Sequence, residues 1–528
     1  MSLAEVQPIE TSGATVKKPT DQPASAAGAT EAAPAQGERS YLQIFKSSAT
    51  IAGSSLVQLI FSIARNKSAA LWLGPDGVGL MGLYNSIIDL AQGLAGSGLV
   101  GSGVRQIAEA NGTGDATLIA RTATALRWLA LALGICGALL LILFATPVAS
   151  LTFGDSTHSV GVAMVAAAVF LRLFASGQTA LLQGLRKIGD LARVNIFAAM
   201  FGACSFIALI WAFGKDGIVP ALILDGGILA ALAWYHARRI DVAKSDFTAR
   251  EISTEARQML RLGLVFMANG LFTLGATYAV RIIVTHEAGI GAAGLYQAAW
   301  ALASLYAGFI LQAMGVDFYP RLTAAAKDND ECNRLVNEQT HVSILLAGPG
   351  LLATLTLAPL VVHLFYSAEF SGAVDILRWF CLGMMLRIVA WPMGFIVLAK
   401  NEQRIFFWTE LIAALVQVGL SFLLVQRYGP AGAGAAFFGL YLWHSALIGY
   451  LANRISGFRW SAENIRVGGS YILMAIVVCV AFAELDSLQA MGLGLVLTAL
   501  CSLHSLHALL TLVPHERLPR AIARFVRK

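Results

Sequence analysis

Stretches of mostly apolar residues, each long enough to cross a lipid bilayer as a helix, recur from residue 42 almost to the end of the chain. A membrane helix needs about 20 such residues, because lipid offers no hydrogen-bond partners to its backbone. Only 13% of the 528 residues are charged, roughly half the share found in soluble domains. These runs predict an all-α polytopic membrane protein and argue against a soluble enzyme.

Fourteen runs have the required length and hydropathy. The tail at 1–40 is different, because it is rich in Ala, Pro, Ser, Thr and Gly and has too few large apolar residues to bury a core. We expect this tail to be disordered and cytoplasmic. The predicted spans are roughly 42–64, 80–102, 125–147, 159–182, 195–213, 218–236, 261–285, 293–317, 341–365, 374–398, 405–427, 432–452, 467–484 and 489–511.

The distribution of basic residues predicts the orientation. With the N-terminus in the cytoplasm, the outer loops hold only Lys215 and Arg427 of the 37 Lys and Arg. Lys and Arg accumulate in cytoplasmic loops of membrane proteins. An even number of spans then places both termini in the cytoplasm. The net charge of +6 is therefore largely a signal of topology, and it does not indicate nucleic-acid binding.

Two motifs recur at almost the same spacing. The pattern GxGxxGLY at 77–84 returns at 289–296, and LRLFASG at 171–177 returns as LRIVAWP at 386–392. The offsets are 212 and 215, so the repeat unit contains six spans. We predict two parallel six-helix lobes, 41–240 and 241–455, related by a pseudo-two-fold axis along the membrane normal, as in some transporters. Residues 456–528 add a helix pair and a basic tail.

Other chemical motifs are weak. GxGxxG would bind a dinucleotide only between a strand and a helix of a βαβ unit, and here it follows an apolar run. The six cysteines have no metal-ligand or disulfide spacing, and the inner loop at 237–260 is too short for a catalytic domain. We therefore predict no catalytic residues, no metal site and no nucleic-acid partner.

Basic residues within the spans need a reason, because a cation inside a bilayer is unfavourable. We predict that they line a cationic cavity between the lobes and bind an anionic substrate, with snorkelling or pairing to acids as the alternative. Arg378 is close to Asp375 and near an outer helix end, so we interpret it as structural. The predicted substrate-binding residues are Arg65, Lys67, Arg172, Arg281 and Arg387. Arg65 and Lys67 are two residues apart and point about 200° from each other on a helix, so we expect only one of these two to face the cavity.

Three acids lie within the spans, at Asp89, Asp225 and Glu410. Each is a candidate for coupling transport to a proton or a sodium ion. Asp89 shares a helix face with Asn85, four residues earlier. Pairing of Asp89 with a lobe cation such as Arg65 is the alternative interpretation.

Several stretches resemble the O-antigen translocases, the Wzx-type flippases of the multidrug/oligosaccharidyl-lipid/polysaccharide exporter superfamily. The similarity covers about 41–455, and its more specific segments are YPRL at 319–322 and the LRIVAWPMGF run at 386–395. Other matching stretches are LGPDGVGLMGLYNSIIDLAQGLAGSGLVGSGVRQIAEA at 73–110, LQGLRKIGDLARVN at 182–195 and AGLYQAAWALASLYAGFILQAMGVDFYPRLTAAAKD at 293–328.

This resemblance implies a transporter of the bacterial inner membrane. Such proteins move undecaprenyl-diphosphate-linked oligosaccharide from the cytoplasmic to the periplasmic leaflet, by alternating access of two six-helix lobes. The partners implied are this lipid-linked glycan and membrane lipid, with no cofactor. Twelve spans are common in the family, whereas fourteen occur in related peptidoglycan-precursor flippases.

Two other functions fit a chain of this kind less well. A drug/cation antiporter of the same superfamily would favour acids in its cavity, whereas basic residues predominate within these spans. A membrane glycosyltransferase or polysaccharide polymerase would need a long loop with acid-base or nucleotide-binding groups. The sequence leaves open which glycan is carried, which ion is coupled and whether a polysaccharide polymerase is a partner.

Overall fold

Long apolar runs fold as helices, and glycines decide where two of these helices break. A computed structural model describes residues 36–96, 98–240, 247–314 and 318–512, and these residues form α-helices with short 3₁₀ turns and no strand. The predicted all-α fold is confirmed. The predicted tail at 1–40 lies outside the described residues, except that 36–40 belong to the first helix.

The first half of the chain contains seven α-helices among the described residues. A 3₁₀ turn at Gly214–Gly217 separates the last two. The helices are α1 (Gln36–Gly96), α2 (Leu99–Thr113), α3 (Ala116–Leu143), α4 (Ala145–Phe153), α5 (Ser159–Gly184), α6 (Ile188–Phe213) and α7 (Ile218–Ala237).

The second half repeats this order and continues beyond it. Its short helices again lie next to long ones, so that the apolar core runs through both halves. The helices are α8 (Ala249–Ala313), α9 (Tyr319–Ala324), α10 (Asn329–Thr356), α11 (Ala358–Phe365), α12 (Ala373–Ala399), α13 (Gln403–Tyr428), α14 (Ala431–Ser456), α15 (Ala462–Glu484) and α16 (Ser487–Leu512).

The longest helices, α1 and α8, each break at one glycine. Gly74 has φ 65° and ψ −169°, and Gly289 has φ 88° and ψ 170°. A side chain with a Cβ atom is disfavoured at positive φ, so glycine is the residue that permits the break. Each break divides its helix between two predicted spans.

These backbone features also give the register of the repeat. Gly74 and Gly289 are 215 positions apart, and the same offset relates two other residues with positive φ, Arg186 and Asn401. Arg172 and Arg387 share it. Of the two offsets read from the sequence, the helix breaks follow 215, and the GxGxxGLY motif at 212 lies three residues out of this register.

The two broken helices cross at a matched pair of glycines. A Cβ atom at Gly79 would overlap the carbonyl oxygen of Ile290, and one at Gly294 would overlap the carbonyl oxygen of Pro75. Both glycine and carbonyl pairs follow the 215 offset. Helices approach this closely only when the residues at the crossing are small, so α1 and α8 pack backbone to backbone across the two halves.

Length and hydropathy identify eight membrane-spanning candidates among the described helices, or up to ten if each of two bent pairs forms one span. Ile188–Ala237 counts there as one candidate, although the turn at Gly214–Gly217 divides it. The prediction of fourteen spans stays a prediction.

The helix pair beyond the repeat, α15 and α16, packs on α10. The Tyr471 hydroxyl lies 2.9 Å from His504 Nδ1 and 2.6 Å from Ser505 Oγ, which ties the two helices together. Backbone contacts separate Met1–Ser48 from Ala49–Lys528. The predicted lobes therefore belong largely to one compact unit, within which the site described below lies.

Candidate functional site

A cavity of 680 Å³ lies between the two halves. Its wall on one side comes from α1, α6 and α7, and on the other side from the second segment of α8 and from Phe365 and Tyr366 at the end of α11. Arg65 and Asp225 are the charged residues in this wall, and Ser304 lies opposite them. We call it the inter-lobe cavity.

Arg65 brings a guanidinium group into the wall of this cavity. Its guanidinium lies 5.6 Å from the centre of the Phe206 ring, and its Nε atom is buried with no hydrogen-bond partner among the described residues. The hydroxyl of Ser304 is likewise buried without a partner in that part of the chain. Buried donors are normally hydrogen-bonded, so both have capacity for a partner that the described residues do not supply.

Arg172 lies in a cluster of its own with acids. Its guanidinium is 3.3 Å from Asp89 Oδ1 and 3.5 Å from Asp225 Oδ2, and it donates to Asn85 Oδ1 at 3.3 Å. The break at Gly74 gives the second segment of α1 the direction that brings Asn85 and Asp89 to α5. Two carboxylates neutralise this arginine, so it does not present a free charge to a substrate.

Lys67 and Arg281 hold the two halves together. Lys67 Nζ donates to the carbonyl oxygens of His363, at 2.9 Å, and Tyr366, at the C-terminal end of α11. A cation is favourable there because helix C-termini carry partial negative charge. Arg281, which is 9% exposed, donates to the Gly82 carbonyl at 3.2 Å and to the Ser86 hydroxyl.

Arg387 lies in a different cavity, within the second half. Two adjoining cavities of 140 and 280 Å³, enclosed by α8, α12, α13 and α14, share Arg387, Glu410, Tyr441 and His444 in their walls. The guanidinium of Arg387 lies 4.8 Å from the Trp391 ring centre and 5.7 Å from that of Tyr441. We call these the C-lobe cavities.

Arg378 makes contacts that join two helices of the second half. Its guanidinium lies 3.8 Å from the ring centre of Phe482 on α15 and 3.5 Å from Asp375 Oδ1. The interaction joins α12 to the helix pair that follows the repeat. This placement matches the structural interpretation drawn from the sequence.

The prediction that five cations line a single cavity needs correction. Arg65 lines the inter-lobe cavity, whereas Arg387 lines the C-lobe cavities and Arg172 pairs with Asp89 and Asp225. Lys67 and Arg281 bind backbone carbonyls across the halves. The physical reason is that a buried cation can be satisfied by backbone carbonyl oxygens in place of a substrate. The sequence does not show which carbonyl oxygens lie near a given cation.

The acids also separate. Asp225 belongs to the inter-lobe cavity and Asp89 to the Arg172 cluster, while Glu410 lies with Arg387 in the C-lobe cavities. Asp89 does pair with a lobe cation, as the alternative interpretation had it, but that cation is Arg172 and not Arg65. The sequence analysis missed Ser304 and Gln417. Each is a polar residue within an apolar run, and this pattern could have identified them.

A family model described as polysaccharide biosynthesis protein matches residues 70–375. This range includes both helix breaks and most of the inter-lobe cavity. The chain belongs to this polysaccharide biosynthesis protein family. Curated relatives agree, because the Lipid III flippases of Escherichia coli (strain K12) and Shigella flexneri are each 21% identical over 412 residues, covering 77% of this chain and 97% of theirs.

Solved structures similar to this polysaccharide biosynthesis protein are polytopic transporters. An inward-facing multidrug resistance MATE family transporter of the MOP superfamily aligns with a TM-score of 0.67 and 16% identity, covering 76% of this chain and 95% of its own. The Lipid II flippase MurJ, in an inward closed conformation, aligns with a TM-score of 0.61 and 13% identity, covering 87% and 98%. The relatives are thus flippases and transporters rather than enzymes. This chain has the same fold as the two transporter structures.

Proposed function

We propose that the protein flips undecaprenyl-diphosphate-linked oligosaccharide from the cytoplasmic to the periplasmic leaflet of the bacterial inner membrane, for surface polysaccharide synthesis. The observation that carries the proposal is the inter-lobe cavity, where buried donors of Arg65 and Ser304 have no partner among the described residues. Membership of the polysaccharide biosynthesis family and the names of the Lipid III flippase relatives support the substrate class.

The diphosphate is the part of the substrate that needs protein contacts most, because a doubly charged group has to cross a region of low dielectric. A guanidinium remains charged in protein and binds phosphate through paired donors. A hydrogen bond to a charged group contributes about 1.5–3 kcal/mol. Arg65 therefore supplies the main contact, and Ser304 on α8 adds a donor from the other half.

Coupling to an ion is proposed for the Arg172 cluster. Arg172 reaches Asp89 on α1 and Asp225 on α7, and Asp225 also faces the inter-lobe cavity. Protonation of either carboxylate would weaken its contact with Arg172 and free the helices to move relative to each other. A proton is the proposed coupling ion, and sodium is the alternative, since Arg172 contacts only one oxygen of each carboxylate.

The alternative is a cation-coupled multidrug antiporter, and the MATE-type structural neighbours favour it only at the level of fold. Asp225 would be the carboxylate that attracts an organic cation in the same cavity. The positive charge of Arg65 in the same wall opposes such a ligand. A polysaccharide polymerase is a further partner that we propose.

The test uses purified full-length protein in proteoliposomes with a fluorescent undecaprenyl-diphosphate-linked oligosaccharide, whose accessibility to an external quencher reports flipping. Wild type should exchange the lipid between leaflets. Arg65→Ala should slow exchange tenfold to a hundredfold, and Arg65→Lys should restore part of the rate. Arg378→Ala, on a helix of the second half, is the matched control with a small effect.

The same vesicles separate the two functions. Two results together would favour the antiporter over the flippase. Wild-type vesicles would take up an organic cation in response to a proton gradient, and they would exchange the lipid no faster than protein-free vesicles do. Wild-type lipid exchange in folded Arg65→Ala would instead leave the flippase but remove the proposed diphosphate site.

A further inference from the structure

The C-lobe cavities contain a set of polar groups that the diphosphate site does not use. Arg387 and Glu410 face both cavities and carry opposite formal charges. An anion would be repelled by the glutamate and an organic cation by the arginine. In the inter-lobe cavity Asp225 also pairs with Arg172, whereas here one arginine faces one glutamate and their charges balance, so the pair favours a ligand that is polar and uncharged.

Donors and acceptors without partners line the same space. Gln417, which is 9% exposed, has a buried Oε1 atom with no partner among the described residues. Two further buried atoms have no hydrogen-bond partner among the described residues, namely Nε of Arg387 and Nδ1 of His444. A guanidinium can only donate and an amide oxygen can only accept, whereas a hydroxyl group does both. A ligand with several hydroxyl groups would satisfy all three.

Aromatic rings form part of the wall of the 140 Å³ cavity. Tyr441 packs on Phe437 with ring centres 4.8 Å apart, and Trp300 packs on Phe437 at 5.3 Å. Large aromatic faces offer apolar contact area next to polar edges. A sugar ring has the matching chemistry, since its C–H face is apolar and its rim carries hydroxyl groups.

The position of the cavities gives a route of entry. The 280 Å³ cavity extends along Phe395, Leu398 and Phe406, which lie beside the turn between α12 and α13. The predicted topology places this turn in the cytoplasm. Residues of the inter-lobe cavity and of the C-lobe cavities do not overlap, and the second segment of α8 contributes to both walls.

We infer that the C-lobe cavities bind a neutral sugar residue of the lipid-linked substrate, with Glu410, Gln417 and Arg387 hydrogen-bonding its hydroxyl groups. This rests on the proposed flippase function and adds to it a subsite for the glycan, separate from the diphosphate site at Arg65. Binding a hydroxylated ligand through buried polar groups gives strong discrimination, because a ligand lacking the hydroxyl leaves those groups unpaired.

The experiment compares lipids that differ only in the sugar. Full-length protein in lipid nanodiscs is titrated with undecaprenyl diphosphate and with the same lipid carrying a single glucose, galactose, N-acetylglucosamine or N-acetylgalactosamine, and binding is read by native mass spectrometry. We expect at least one sugar-bearing lipid to bind about tenfold more tightly than the bare lipid. One lost hydrogen bond of about 1.4 kcal/mol equals that factor.

Variants locate the effect. Gln417→Leu keeps the side-chain size and should abolish the preference for sugar while leaving affinity for bare undecaprenyl diphosphate unchanged. Glu410→Gln, which keeps the shape, should reduce the preference as well. Gln426→Leu changes the same residue type on the same helix at an exposed contact with Glu287, and it should retain the wild-type preference.

Each outcome bears on one proposal. Equal binding of bare and sugar-bearing lipids by wild type would overturn the subsite and leave the flippase intact. A preference that survives both Gln417→Leu and Glu410→Gln would place the sugar elsewhere and also overturn it. If no undecaprenyl lipid binds better than phosphatidylglycerol, the proposed function itself fails.

Discussion

Arg172 and Arg387 occupy equivalent positions in the two halves, but acidic side chains surround the first and aromatic rings the second. Arg172 lies between the carboxylates of Asp89 and Asp225, at 3.3 and 3.5 Å, whereas Arg387 stacks on two aromatic rings. The same residue in the same register of a repeat therefore serves the packing of helices in one half and the wall of a cavity in the other.

The first prediction follows from this difference. Arg172→Ala should lower thermal stability in detergent as well as transport, because it leaves two carboxylates without their cation. Arg387→Ala should reduce transport with a smaller change in stability. The expected loss for Arg172→Ala is about 1.5–3 kcal/mol, in a region where the side chain of Asp89 is 50% exposed and solvent screens part of the interaction.

A second substitution checks the cause. Asp225→Asn in the Arg172→Ala background should recover part of the lost stability, since it removes one stranded charge. Equal melting temperatures for Arg172→Ala and Arg387→Ala would show that the acidic cluster does not depend on Arg172.

The second prediction concerns ion coupling. Asp89→Asn should make lipid exchange insensitive to an imposed proton gradient, because the neutral amide can no longer release and bind a proton beside Arg172. Glu410→Gln should keep the response to the gradient, since Glu410 lies in the C-lobe cavities away from the cluster. Exchange rates in proteoliposomes at two internal pH values measure both, and identical responses of the two mutants would remove Asp89 from coupling.

The third prediction tests the crossing of the two broken helices. Gly79→Ala and Gly294→Ala should destabilise the protein to a similar extent, by about 1–3 kcal/mol as for other overpacked sites. Each new methyl group would overlap a carbonyl oxygen of the opposite helix. Gly275→Ala, on α8 with nothing within 4 Å of its Cβ position, is the control. A stability loss at only one of the two glycines would show that the crossing is not symmetric.

The fourth prediction is the topology. Reporter fusions at Thr20, Asp330 and Arg520 should report a cytoplasmic location, and a fusion at Asp216 a periplasmic one. The charge asymmetry of the loops is the reason. A periplasmic signal at Arg520 would reduce the number of spans after the repeat, and one at Thr20 would invert the whole protein.

The sequence by itself determined the all-α membrane fold and the family, because hydropathy and helix length are local properties that the bilayer enforces. It also indicated the repeat, since Arg172 and Arg387 share their flanking residues. The sequence did not reveal which glycines of the two halves correspond. The reason is that the φ angles of Gly74 and Gly289 depend on how the neighbouring helices pack. The predicted tails at 1–40 and 513–528 lie largely outside the described residues.

Only the tertiary structure decided what each buried charge does. Lys67 looks like a substrate ligand in the sequence, yet it meets the end of α11 from the other half of the chain. Arg65, two residues earlier, faces the inter-lobe cavity instead. The partners of a buried cation are carbonyls, acids or rings that lie far away along the chain, and only the packing of helices brings them within reach.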